Sequence, residues 1–184
     1  MMRLFVTLVL LVWSGSALAV EVAGVKLEPQ VQIGGETLNL NGYGIRKKLF
    51  FKIYIGSLYT AQKATRTEQV VDGTGSKLIR MDFLYSKVEK QKIVDAFAEG
   101  LANNSPQLMN SSAVKAFLSW FDADFIEKDR VDLAVAADGT VSVTHNGRLL
   151  GSSNAPGLAK GVLLIYLGNK PADESMKEGM LGGE

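Results

Sequence analysis

"KLIRMDFLYSKVEKQKIVDAFAEGL", residues 77–101, changes its hydrophobic period in mid-stretch. Ile79, Met81, Phe83 and Tyr85 recur at every second position, the period that puts successive side chains on opposite faces of a strand. Beyond them the apolar positions become Ile93, Val94, Phe97, Ala98 and Leu101, one stripe of a helix. Glu89 to Lys92 reads as a charged helix start, and Asn103-Asn104-Ser105-Pro106 as its stop. A second helix carries Val114, Phe117, Leu118 and Phe121, and its aromatic run with Trp120 and Phe125 reads as core or cleft wall.

Strands lie on both sides of this pair of helices. Upstream, "VAGVKLEPQVQIGGETLNLNG" reads as two short strands around the turn Gly34-Gly35. Residues 49–59 form a strong strand, with Leu49, Phe51, Ile53, Ile55 and Tyr59 on one face and Phe50, Lys52, Tyr54, Gly56 and Leu58 on the other. "VVDGTGSK" is a loop that lacks the phosphate-loop spacing. Downstream, "VDLAVAADGTVSVTHNGRLLG" is a three-stranded meander whose turns are Asp138-Gly139 and Asn146-Gly147. A last helix follows in "PGLAKGVLLIYLG", with Pro156 in its first turn and Gly168 as its cap. Four strands, two helices, three strands and a helix predict an α+β fold, helices packed on one face of an antiparallel sheet.

The first 19 residues read as a secretory signal: Arg3, an apolar run from Leu4 to Trp13, then Ala17-Leu18-Ala19 as a small-residue cleavage site. That run is shorter than the roughly 20 residues a bilayer span needs. Residues 20–184 are then expected to form a single domain, soluble, monomeric and periplasmic or secreted, with no transmembrane segment. The chain has no cysteine, so export here implies no disulfide framework. Its net charge of +1 argues against nucleic acid and against an anionic membrane as partners. No metal is expected, because no carboxylate cluster has metal-like spacing and the one histidine, His145, reads as a solvated turn residue. "GYG" at Gly42 to Gly44 is not a dinucleotide fingerprint, since no helix follows it, and no cofactor is expected.

Three stretches together resemble the chalcone isomerase-like family, in its bacterial secreted branch: "LNGYGIRKKLFFKIYIGSLY", "VEKQKIVDAFAEGLANN" and "DGTVSVTHNGRLLGSSNAPGLAKGVLLIYLGNKP". The resemblance runs from about Gly24 to Gly182 and implies an open-faced β-sandwich, a long antiparallel sheet covered by helices on one side. It also implies one of two functions. Chalcone isomerases close a flavanone ring with an arginine, a strand threonine, and a tyrosine, a lysine and an asparagine from the following helical region. Non-catalytic relatives bind fatty acids, with an arginine and a tyrosine on the carboxylate. The arginine transfers to Arg46 and the strand threonine to Tyr54, while the helical trio falls on Glu89, Lys92 and Ala96. Only the lysine of that trio is kept.

Elementary chemistry points the same way. Ring closure needs stabilisation of developing negative charge, and Glu89 supplies the wrong sign. Arg46 with Tyr54 suffices for a carboxylate: a planar bidentate fork and one hydroxyl donor. Arg46, Lys48, Lys52 and Tyr54 share one parity if the strand extends back to Arg46. The expected site is therefore Arg46, Tyr54, Lys52 and Lys92, a binding site for a fatty acid or similar small amphipathic carboxylate with no catalytic residue. Lys48 and Lys52 could equally snorkel into solvent. The alternatives are an intramolecular lyase or isomerase acting on an unknown substrate, and an interaction module that would expose an apolar patch.

Overall fold

The structure, a computed structural model, describes residues 20–183. The signal-peptide reading therefore lies outside the described residues. Eleven strands and five α-helices follow one another among them. Strands β1 (Val20–Val22) and β2 (Val25–Leu27) make a small hairpin. Next come β3 (Gln30–Ile33), β4 (Glu36–Lys48), β5 (Phe51–Thr60), the short helix α1 (Thr67–Val71) and β6 (Lys77–Phe83). Strand β7 (Lys87–Val88), helix α2 (Lys90–Asn104), helix α3 (Ser112–Ser119) and β8 (Phe125–Ile126) occupy the middle. The chain closes with β9 (Arg130–Val135), β10 (Val141–His145), β11 (Arg148–Ser153), α4 (Leu158–Leu167) and α5 (Glu174–Met180).

Seven strands form one antiparallel sheet in the order β11-β10-β9-β6-β5-β4-β3. The α+β expectation holds, and alternation explains it: Leu58, Ile79, Met81, Phe83, Leu133 and Val143 point to the helical side and join one core with Phe97, Leu101, Phe117 and Tyr166. Their neighbours Tyr59, Leu78 and Ala134 point the other way, into a small second cluster with Leu38. Strand β6 is buried along its whole length because both faces are covered. On that second face Arg80 meets both oxygens of Asp132 at 2.7 and 2.9 Å and also pairs with Glu28, while Arg130 reaches Asp82 at 2.9 Å and Glu28 at 3.1 Å. This ion network ties the segment after β2 to the sheet.

The hairpin β4–β5 departs from the sequence reading. Arg46, Lys47 and Lys48 end strand β4, and the chain reverses at Leu49-Phe50 before β5 begins. Leu49 has a φ of +56°, in a turn position where glycine is the usual choice. Pairing runs Arg46 opposite Tyr54, then Lys47 opposite Lys52 and Lys48 opposite Phe51. Ile53 is passed over, so it is a β-bulge, and a bulge reverses which face the following residues occupy. Phe51 and Lys48 thus share the face of Arg46 and Tyr54, and Lys52 shares the opposite face with Lys47. The expectation that Lys52 and Tyr54 lie on one face is overturned.

Further corrections are local. Phe125 belongs to β8, not to the second helix, and stacks on Phe83 with ring centroids 4.7 Å apart. His145 is not a solvated turn residue: its ring lies 5.1 Å from that of Phe125 and its Nε2 is 3.0 Å from Asp129. Pro156 precedes α4, whose cap is Gly157 in the left-handed conformation. Helix α5 was not anticipated. It lies on β4, where a Cβ on Gly42 would stand 2.2 Å from the carbonyl oxygen of Gly179 and one on Gly44 would stand 2.4 Å from the Cα of Met176. The glycines of "GYG" are therefore there for close approach of a helix backbone.

Candidate functional site

The bulge at Ile53 builds the site. Its carbonyl accepts from the backbone N–H groups of Leu84 and Tyr85, at 2.9 and 3.2 Å. That draws Tyr85 over the end of the sheet, where its ring meets Phe51 edge-on at 5.3 Å. Between this hairpin end and helix α2 a cleft opens, of about 260 Å³. Tyr54, Phe97 and Ile165 form its buried floor. Ile93 and Ala96 of α2 make the wall facing the hairpin, and Lys48, Leu49, Lys87 and Lys92 stand exposed at the rim.

Arg46 and Tyr54 face one another across β4 and β5 and both line the cleft. Arg46 is held by a hydrogen bond from its guanidinium to the carbonyl of Ala172, just ahead of α5. Tyr54 is 3 % exposed. Burial pushes its hydroxyl up to about 12, against the opposing pull of Arg46 and with a smaller upward push from Asp173. At neutral pH it is thus a neutral O–H donor beside a fixed cation. Burial likewise pushes the hydroxyl of Tyr166 well above the ordinary tyrosine value. Tyr166 donates to the Met81 sulfur at 3.2 Å.

Of the four residues expected at the site, Arg46 and Tyr54 come together at its polar end. Lys92 lines the rim, 3.7 Å from Glu89 across one turn of α2. Lys52 does not line the cleft, for the reason the bulge supplies. Ala96 stands in the wall, and Glu89 is the exposed residue that caps α2. Tyr166 was missed, although a hydroxyl inside the apolar run "GVLLIYL" was a legible signal that a buried polar partner awaited it. A larger recess of about 630 Å³ lies on the other face, but Arg80, Arg130, Asp82 and Asp132 line it and already neutralise one another.

Among the described residues no helix is long and apolar enough to cross a membrane. The chain is similar to Fatty-acid-binding protein 1 of Arabidopsis thaliana, 22% identical over 178 residues covering 80% of this chain and 64% of that protein. It thus spans somewhat under two thirds of that relative's length. The crystal structure of an Arabidopsis thaliana fatty-acid binding protein superposes with a TM-score of 0.69 at 19% identity, covering 86% of this chain and 92% of that one. The fold is therefore the α+β, curled antiparallel half-barrel with helices seen there. The model of the chalcone isomerase-like family matches residues 19–182, and the chain belongs to that family.

Proposed function

We propose that the cleft binds a fatty acid or a similar small amphipathic carboxylate and that the protein is a non-catalytic carrier of it. The observation that carries this reading is the convergence of Arg46 and the un-ionised Tyr54 hydroxyl at the polar end of an otherwise apolar cleft. Arginine offers two parallel N–H donors to a carboxylate, and the tyrosine a third. Ligand sites commonly occupy about 300–1,000 Å³, so a cleft of 260 Å³ suits a short acid or a longer one whose tail leaves at the rim. The similarity to plant fatty-acid-binding proteins supports the same class of ligand.

The helix α2 wall favours binding over an intramolecular lyase. Opposite Arg46 it presents Ile93, Ala96 and Phe97, and its one cation is Lys92 at the rim beside Glu89. No donor on that wall stands ready for a developing oxyanion. Chalcone cyclisation should accordingly run at the solvent rate with protein present. Export accompanies this reading, with the mature chain starting at Val20, the first residue of β1; N-terminal sequencing of the exported fraction checks it, and an intact Met1 there would refute it.

Calorimetric titration of the delipidated protein with fatty acids of increasing length tests the binding. Arg46→Ala should weaken it by roughly 1.5–3 kcal/mol, about one to two decades in Kd, and Tyr54→Phe by about 1 kcal/mol. No binding by the wild type, or equal affinity in Arg46→Ala, would end the proposal.

A further inference from the structure

The tip of the β4–β5 hairpin carries Leu49, Phe50 and Phe51 in succession, with 84%, 97% and 53% of their surface exposed. Three consecutive exposed apolar residues are a fault in a surface unless something covers them. Leu49 moreover holds a positive φ that a leucine disfavours. A polar or glycine residue would relieve both problems at once, so the tip is kept apolar against local preference.

Charge says what covers it. Arg46, Lys47, Lys48 and Lys52 flank the tip, and no acidic residue occurs anywhere between Glu36 and Glu68. Among the described residues Lys47, Lys48 and Lys52 have no carboxylate within ion-pair distance, whereas Lys87 and Lys92 at the same rim are paired with Asp124 and Glu89. The net charge of +1, which argued against an anionic membrane, averages away this local excess. An apolar loop tip ringed by free lysines matches an anionic lipid surface: the side chains enter the acyl boundary and the cations stay among the headgroups.

We propose that the protein docks on anionic membranes through the Leu49-Phe50-Phe51 tip, with the cleft rim facing the lipid. Lys48 and Leu49 line both tip and rim, so an amphipathic ligand could pass between bilayer and cleft without crossing water. The docking goes beyond the ligand reading and does not depend on it, because vesicles free of fatty acid suffice to test it.

The chain has no cysteine, so one introduced thiol labels one position. Phe50→Cys in the full chain, carrying an environment-sensitive fluorophore, reports on the tip. Ser152→Cys reports on the far end of the sheet, since the register places Ser152 level with Ser142 and Ala134, away from the turn. Vesicles of equal parts phosphatidylcholine and phosphatidylglycerol should blue-shift the emission at residue 50 and leave residue 152 unchanged. Pure phosphatidylcholine should give little shift. Lys47→Gln with Lys52→Gln, both on the face away from the cleft, should lower vesicle affinity about fivefold per lysine. The reading is local to residue 50, so attachment through another segment does not imitate it.

Five results would overturn the proposal: no shift at residue 50, an equal shift on neutral vesicles, affinity unchanged in the lysine variant, a lipid-free shift that grows with protein concentration and so marks a second copy, or the same shift from polyglutamate alone.

Discussion

The two ends of one hairpin behave in opposite ways. At one end Gly42, Gly44 and Gly56 leave gaps in the side-chain cover of β4 and β5, and helix α5 settles onto their backbone until Met176 and Gly179 touch it. At the other end the same strands carry Arg46, Tyr54 and Phe51, the helices stand off, and a cleft and an exposed tip result. The pairing is regular from Gly42 to Arg46 and is broken beyond, by the bulge at Ile53. Missing side chains seal one end, large side chains and the bulge at Ile53 open the other, and Arg46, reaching the carbonyl of Ala172, links the two.

The heaviest blow to this division is a side chain placed in the joint. Gly44→Val meets backbone atoms of Met176, which cannot swing aside, and should cost about 3 kcal/mol, the upper end for overpacking. Denaturant midpoints measure it; an unchanged midpoint would mean that α5 does not hold the joint closed. The open end is probed next, by alkali. Tyrosine ordinarily ionises near 10, and burial pushes Tyr54 and Tyr59 each up to about 12. Below pH about 10 both tyrosines keep their protons in the folded and the unfolded chain. Above it the unfolded chain loses them first, so stability falls as pH rises toward 12, by about 1.4 kcal/mol per pH unit for each tyrosine. Tyr54→Phe should make that slope shallower, and an identical slope would show that Tyr54 is not sealed in the floor.

Smaller effects sharpen the contrast. Gly56→Ala meets only the flexible ends of Met176 and Met180, and should cost about 1 kcal/mol, well short of Gly44→Val. A cost equal to that of Gly44→Val would mean that methionine tips are as unyielding as backbone. Lys52→Ala should change fatty-acid affinity less than twofold and stability by under about 0.5 kcal/mol, because the bulge turns it from the cleft. A tenfold loss of affinity would place Lys52 at the site after all.

Much of this was legible in the sequence where local rules decide. Alternation placed Ile79, Met81 and Phe83 on the helical face, and the stripe of Ile93, Phe97 and Leu101 put α2 over it. Arg46 and Tyr54 were paired for the wrong reason, a shared parity along one strand; they meet because two strands lie side by side. The turn between them was hidden because Leu49-Phe50 contains none of the residues that mark turns. The bulge at Ile53 has no sequence mark either, and it moved Lys52 off the site. Helix α5 went unread since "ESMKEGM" is short and holds a glycine, and the glycines that receive it lie far back in the chain.

The bond from Arg46 to Ala172 spans 126 residues. A ribosome adds roughly 5–20 residues each second, so Arg46 is made about 6–25 s before its acceptor exists. Throughout that interval the glycine-lined stretch of β4 and β5 has no lid, and the guanidinium has no anchor. A nascent chain stalled just short of Ala172 would already hold all eleven strands, yet it would lack the last clamp that sets the arginine in the cleft. The anchor of Arg46 is thus made only after every strand of the sheet.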